Sequence, residues 1–240
     1  RAIRSIKEQT YSHVEIIVVN DGGVNLESLL RWLAENAEIV YIDFPTNQGV
    51  SAARNAAFKA AQGDIIAYLD DDDVFMPDHI QTVVDTLKQE DVRFVFTRSV
   101  YVVETLERGQ YKEYARGTAN DGMRYDKEHL FICNYIPINT WAHWKSCFDQ
   151  VGYFDENLDN HEDWEFLLRC AQHFDLVHVP KETVEVHNRR ESDNAMRRTR
   201  HKFVDTYQTL YARYDDLGSR RVAEGRIQML RQLAAQGESA

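Results

Sequence analysis

Four consecutive aspartates, Asp70, Asp71, Asp72 and Asp73, follow directly on the apolar run Ile65, Ile66, Ala67, Tyr68 and Leu69. Carboxylates this close repel one another and raise each other's pKa values. A hard divalent cation (Mg²⁺, Mn²⁺ or Ca²⁺) relieves that repulsion because oxygen ligands are what it prefers. In open α/β sheets, ligands gather beyond the carboxyl ends of the strands. The cluster therefore reads as a metal site able to hold a phosphorylated ligand. The competing reading is a solvated turn that also caps the next helix, a role that suits Asp73 best.

The elements that must position these acids alternate in pattern. Residues 14–19 form a short, nearly continuous apolar run, as expected of a buried parallel strand, and Asn20, Asp21, Gly22 and Gly23 end it with turn chemistry. Leu26, Leu29, Leu30 and Leu33 then mark one helix face. Residues 39–42 predict a second strand, 47–49 a turn, 51–61 an alanine-rich helix and 65–69 the strand that carries the aspartates. Pro77 opens a helix to about Leu87. Residues 95–96 and 100–103 predict two further strands, 105–125 a polar loop, 144–151 and 164–174 helices, and 176–179 a short strand. From about 196 to 236 the pattern is helical and charged, with a break at Gly218. Strands alternating with helices predict an α/β sandwich with parallel β-α units.

The bulk properties bound the function. The 240 residues carry 43% hydrophobic side chains and a net charge of −11. A chain this acidic excludes broad nucleic-acid binding through a basic surface, and an anionic substrate needs a metal or a local arginine cluster. The three cysteines, Cys133, Cys147 and Cys170, lack metal-type spacing and suit a reducing, cytoplasmic setting. No run is long enough to span a membrane. A peripheral place at the inner face of a membrane stays open, since the charged C-terminal helices are free to pack on the core, join another domain or touch a membrane surface.

Taken in order, Ser5-Ile6-Lys7-Glu8-Gln9-Thr10-Tyr11, Glu15-Ile16-Ile17-Val18-Val19-Asn20-Asp21-Gly22, Asn47-Gln48-Gly49-Val50-Ser51-Ala52-Ala53-Arg54-Asn55 and the four aspartates resemble the family 2 glycosyltransferases of GT-A fold. Val151-Gly152-Tyr153-Phe154-Asp155-Glu156, then Glu162-Asp163-Trp164, continue the resemblance, which covers residues 1 to about 190. Each motif is weak alone; their order and spacing are specific. The resemblance implies a GT-A-like, Rossmann-like αβα sandwich over residues 1–190 with a mainly parallel central sheet. Residues 191–240 form a charged helical extension.

The resemblance also implies an inverting, metal-dependent hexosyltransferase-type enzyme. It would use a nucleoside-diphosphate sugar, a divalent metal (Mg²⁺ or Mn²⁺) and a saccharide, lipid-linked or other hydroxyl acceptor, in polysaccharide or glycoconjugate synthesis. In that pattern Asp21 contacts the donor's base and Arg54 lies near the nucleotide. Asp70 lies near the ribose, and Asp72 binds the metal, with Asp71 able to replace either by a small register shift. Asp163 is the base that takes the acceptor's proton, and Glu162 orients it or binds acceptor. A helix N-terminus, which favours acidic charge, accounts for the same pair. His187 completes the metal site or contacts the diphosphate. Arg189, Arg190, Arg197, Arg198 and Arg200 could close over a diphosphate or form a solvated helix face. Trp141 borders the acceptor or packs in the core.

Two departures from the pattern stand out. The family's first strand would precede Arg1, and a parallel sheet without that interior strand is expected to bind donor poorly or be unstable. Asn20 stands where the family more often has aspartate. Two rivals remain on sequence grounds. Asp70-x-Asp72 after an apolar strand also resembles the opening motif of haloacid-dehalogenase-type phosphatases, and a non-catalytic nucleotide-sugar-binding module would keep the fold without turnover.

Overall fold

Ile16, Ile17, Val18 and Val19 build strand β1 (Ile16–Asp21), which runs parallel to β2 (Ile39–Phe44) in a two-stranded sheet. Helix α1 (Ala2–Lys7) packs beside Phe75, whose N–H donates to the Ser5 hydroxyl (3.1 Å), while α2 (Glu27–Leu33) and α3 (Val50–Ala60) accompany the two strands. The computed structural model describes residues 1–34, 39–107, 109–118, 124–189 and 202–237. The run before the aspartates forms the short strand β3 (Ile65–Ala67), and the chain then makes β4 (Val74–Phe75) and α4 (His79–Leu87).

The remaining elements are β5 (Phe94–Glu107), β6 (Gln110–Thr118), α5 (Lys127–Leu130), a 3₁₀ turn at Ile138–Thr140, β7 (Trp141–Trp144), α6 (Cys147–Val151), α7 (Glu162–His173), β8 (Leu176–Arg189), α8 (Phe203–Arg213) and α9 (Arg220–Gly237). A six-stranded sheet has the order β3-β7-β5-β8-β4, with β6 on β5.

The expected α/β sandwich is present, but its larger sheet is mixed. Only β5 and β8 pair parallel among the described strands of that sheet; β3–β7, β5–β7, β4–β8 and β5–β6 are antiparallel. Parallel neighbours need a crossover connection. β7 instead follows the 3₁₀ turn and enters between β3 and β5 from the opposite end.

Three local expectations change for identifiable reasons. The two strands expected at 95–96 and 100–103 are one, β5. Its pairing with β8 shifts register on either side of Arg98, a charged residue that splits the apolar run. The polar stretch 105–118 is the β5–β6 hairpin rather than a loop. Every β6 residue is exposed, so no apolar alternation marks it. The helix expected from Trp144 starts only at Cys147. β7 occupies the preceding residues because the His143 ring is buried against Phe94 and accepts or donates a 2.8 Å bond with the Tyr68 hydroxyl.

Cores on the two faces of the sheet fix the layers. On one face Val83, Leu87, Ile80 and Val84 of α4 cover Val95, Ala142, Phe75 and Val184. On the other, Phe94, Phe96 and Trp141 meet Trp164, Phe166 and Leu167 of α7, and the same cluster takes in Tyr207, Leu210 and Tyr211 of α8 and Val222 of α9. Glu165, 2% exposed, ties α8 to α7 by accepting from the Tyr214 hydroxyl (2.5 Å) and Arg169. The C-terminal helices thus share the core, and the expected break at Gly218 falls between them at φ +99°. The three cysteines are unpaired thiols, two of them buried. Among the described residues no helix is long and apolar enough to cross a membrane.

Candidate active site

The aspartate cluster divides by burial. Asp70 and Asp71 are exposed, Asp72 is half-buried, and Asp73 is 3% exposed. Asp73 does not cap the next helix, since the residue before α4 is Asp78; it is a buried anchor instead. One of its oxygens accepts from the His187 backbone N–H (2.8 Å) and the other from Asn139 Nδ2, fastening the turn to β8 and to the 3₁₀ turn. Burial pushes its carboxyl up to about 7, with the neighbouring aspartates adding to the rise. Asn139 also accepts from the Asp70 backbone N–H (2.8 Å) and donates to Asp70 Oδ2 (3.2 Å). One amide therefore holds both ends of the acidic turn.

Asp72 is the member of the cluster suited to a cation. Burial raises its carboxyl, Asp71 and Asp70 raise it further, and Arg189 opposes them. A cation would remove that repulsion. Among the described residues no group of three or more His, Cys, Asp and Glu side chains is gathered as a metal cage. The His187 ring has other partners: its Nδ1 lies 3.3 Å from Glu104 and 2.8 Å from Arg1, and its Nε2 lies 3.3 Å from Glu185.

Glu162 and Asp163 open α7, where the exposed backbone N–H groups favour acidic charge. His161, just before them, takes the left-handed conformation (φ 56°). Asp163 Oδ2 accepts from Asn134 Nδ2 (3.0 Å) and Oδ1 from the Trp164 N–H (2.7 Å). Burial raises Asp163 to about 7, Glu162 adds to the rise, and Arg54 opposes it. A carboxylate poised there can take a proton from a hydroxyl near neutral pH.

Arg54, projecting from α3, joins the two acidic groups. Its guanidinium donates to Glu162 Oε1 at 2.5 Å and lies 3.6 Å from Asp70 Oδ1, over the Phe154 ring at 5.6 Å. Burial works against its charge, but Glu162, Asp70 and Asp163 hold it above the ordinary arginine value. One residue further on, Asn55 fixes the next segment. Its amide donates to the Phe154 carbonyl (3.0 Å) and Glu156 (2.8 Å) and accepts from the Phe154 N–H (3.0 Å).

Asp21 lies at the end of β1. Its two carboxylate oxygens accept from the backbone N–H groups of Gln48 (2.6 Å) and Gly49 (2.9 Å). The carboxylate clasps the turn that leads into α3. Gly22 permits it: at φ +74°, a Cβ there would sit 2.3 Å from Asn47 N. Asn20 serves its position well, since its amide donates to Asp43 (2.7 Å), which an aspartate could not do.

Trp141 is a correction. It is fully buried, its indole N–H donates to the Ile136 carbonyl (3.2 Å), and it packs among Phe94, Tyr68 and Phe166, so no ring face is open to an acceptor. Arg189 lies over the Tyr111 ring at 4.9 Å. Arg190, Arg197, Arg198 and Arg200 lie outside the described residues. Sequence reasoning missed Asn134 and Asn139, which hold the acids in place. The available signal was a pair of amides in the otherwise apolar stretch around Pro137, since buried amides must find partners.

Comparison with known proteins adds to this geometry. Residues 1–145 match the family described as Glycosyl transferase family 2. The chain is 33% identical over 178 residues to the uncharacterized glycosyltransferase YwdF of Bacillus subtilis, covering 74% of this chain and 65% of that one, less than two thirds of its length. Its fold is similar to that of S. aureus TarS 1-349 in complex with UDP-GlcNAc (TM-score 0.69, 14% identity, 95% of this chain and 66% of that one). It is also similar to the mannosyltransferase PcManGT from Pyrobaculum calidifontis in complex with GDP-Man and Mn²⁺ (TM-score 0.65, 14% identity, 99% and 70%).

Proposed function

The chain belongs to glycosyl transferase family 2, and from that membership we propose that it transfers a sugar from a nucleoside-diphosphate donor to an acceptor hydroxyl with inversion at the anomeric carbon. The observation that carries this reading is the Arg54 bridge. The acidic turn and the Glu162–Asp163 pair meet on one guanidinium, so a single site contains both. The donors bound to TarS and PcManGT support a nucleotide sugar, and the Mn²⁺ in PcManGT supports a divalent cation.

Asp163 is the base we assign: it takes the proton of the attacking hydroxyl on the face opposite the leaving group, which gives inversion. Asn134 holds its carboxylate in place. Arg54 pairs with Glu162 beside it and adds positive charge where a departing diphosphate needs it. Asp72, with Asp70 or Asp71, would hold a Mg²⁺ or Mn²⁺ that stabilises charge on the leaving phosphate as a Lewis acid. His187 is left as a structural partner of Glu104 and Glu185.

The test is a thermal-shift screen of nucleoside diphosphates and their sugars, with and without Mn²⁺, on wild type, Asp72→Ala and Asp163→Asn. Stabilisation by a nucleotide should need Mn²⁺, weaken in Asp72→Ala and persist in Asp163→Asn, while transfer disappears in Asp163→Asn. Equal transfer by Asp163→Asn and wild type would remove the assigned base.

A further inference from the structure

A small cavity lies beside the site, on the sheet face that carries α7, and the mechanism above does not use it. It measures about 30 Å³ and is lined by Arg98, Arg124, Tyr125, Tyr135, Pro137 and His178, among others. A water needs roughly 10–15 Å³ of such space. The cavity therefore holds about two waters or the tip of a charged group, and a hexose ring does not fit.

Some of its polar atoms lack partners among the described residues. Arg98 Nε and the Tyr125 hydroxyl are both buried with no hydrogen-bond partner among the described residues. Arg98 sits at the register shift between β5 and β8, where a bulge re-aims side chains. Glu182 stands opposite it in the ladder, but that carboxylate is taken by the Thr118 hydroxyl at 2.8 Å. His178 stacks on Phe96 at 4.8 Å. Burial and Arg98 both depress its pKa, so the ring stays neutral at pH 7 and leaves the charge to arginine. Of the acids that act on Tyr125, Asp126 is paired with Arg221 at 2.7 Å, and Asp175 is the other. A buried guanidinium N–H and a phenol without partners, in a cavity two waters wide, suit an oxyanion.

The cavity also lies along the segment that holds the reacting groups. Asn134 donates to Asp163, Tyr135 and Pro137 line the cavity, and Asn139 grips Asp70. One stretch of chain, residues 134–139, thus touches both the cavity and the reacting acids. We propose that this cavity is an oxyanion subsite that binds a phosphate or carboxylate carried by the acceptor, with Arg98 and the Tyr125 hydroxyl as donors. The acceptor assignment rests on the transferase reading above.

The test follows the arginine Nε–Hε resonances of ¹⁵N-labelled protein during titration with glycerol 3-phosphate, glucuronate, inorganic phosphate, glycerol and glucose. Spectra of Arg98→Met and Arg98→Lys assign the Arg98 signal, and their melting temperatures show that each folds. One or both organic anions should shift that signal saturably, and neutral glycerol and glucose should not. Affinity should fall at least tenfold in Arg98→Met and recover partly in Arg98→Lys, with Mn²⁺–nucleoside diphosphate affinity unchanged in both. No shift with any anion, or equal affinity in Arg98→Met, overturns the subsite. A response to inorganic phosphate alone makes it a site for a free ion and overturns the acceptor assignment. A wild type that binds the organic anions but no nucleotide sinks the transferase reading and the acceptor assignment with it, while the oxyanion site itself stands.

Discussion

Arg54 stands between Glu162 and Asp70, 2.5 Å from one carboxylate and 3.6 Å from the other. Glu162 is only 8% exposed, so it depends on that cation. Removing one partner of a buried ion pair costs about 3 kcal/mol or more. At roughly 2–4 °C per kcal/mol for a chain of this size, Arg54→Met should melt about 6–12 °C lower. Glu162→Gln in the same background should recover part of the loss, because the stranded charge is gone. Calorimetry on the double-mutant cycle checks this; purely additive losses would mean that the two side chains are not coupled.

Asp163 gives a pH signature with two opposite signs. Burial and Glu162 raise its folded pKa to about 7, above the ordinary 3.8. As a base it must be ionised, so transfer should climb as pH rises through about 7 and level off above. Stability runs the other way. The folded state binds this proton more tightly than the unfolded chain, so the contribution is complete below about pH 4 and is lost as pH rises through about 7. Asp73, also raised to about 7, adds a slope of the same sign. Asp163→Asn should cut transfer by on the order of 10²–10⁴ and flatten part of the stability slope. An unchanged pH–rate profile in a partly active Asp163→Glu variant, or no stability slope in wild type, would contradict the assignment.

The sequence made the acidic turn, the Glu162–Asp163 pair and Arg54 visible because charged residues at strand and helix ends stand out against apolar runs. It could not show that Arg54 bridges them. That contact spans 108 positions along the chain and exists only once α3 and α7 share a layer. Likewise β6 left no periodic trace because both its faces are wet, and Arg98 made one long strand look like two. Trp141 read as equally fit for sugar stacking and for the core, and only its burial decides for the core. Asn134 and Asn139 were ordinary loop amides until their partners were known. The acids announce the chemistry, while the neutral residues that aim them come from distant segments.

Asn139 is the residue on which the acidic turn hangs. Its side chain bonds the Asp70 N–H, the Asp70 carboxylate and the buried Asp73 carboxylate. Asn139→Ala should cost about 1–3 kcal/mol for the stranded groups. Asn139→Asp should cost more, since it adds a third carboxylate where Asp73 is already forced towards its protonated form. Both should weaken Mn²⁺-dependent nucleotide binding, although neither touches the nucleotide in the proposed mechanism. Titration calorimetry with a nucleoside diphosphate measures this. Intact affinity in a folded Asn139→Ala would show that the turn holds its shape without the amide.

Gly22 and Gly49 offer a matched comparison at the other end of the site. Both have positive φ, +74° and +94°, so alanine is strained at either. They differ in space. A Cβ on Gly22 would meet Asn47 N at 2.3 Å and Thr46 C at 2.6 Å, whereas nothing lies within 4 Å of one on Gly49. Gly49→Ala should therefore cost about 1–3 kcal/mol for conformation alone. Gly22→Ala should cost clearly more and push the 46–49 turn away from Asp21. The Gln48 and Gly49 amides donate to Asp21, so their hydrogen exchange should quicken in Gly22→Ala. Amide exchange by NMR and thermal melts of the two variants decide the matter: equal costs, with exchange at Gln48 and Gly49 unchanged, would mean that close packing at Gly22 does not hold the clasp.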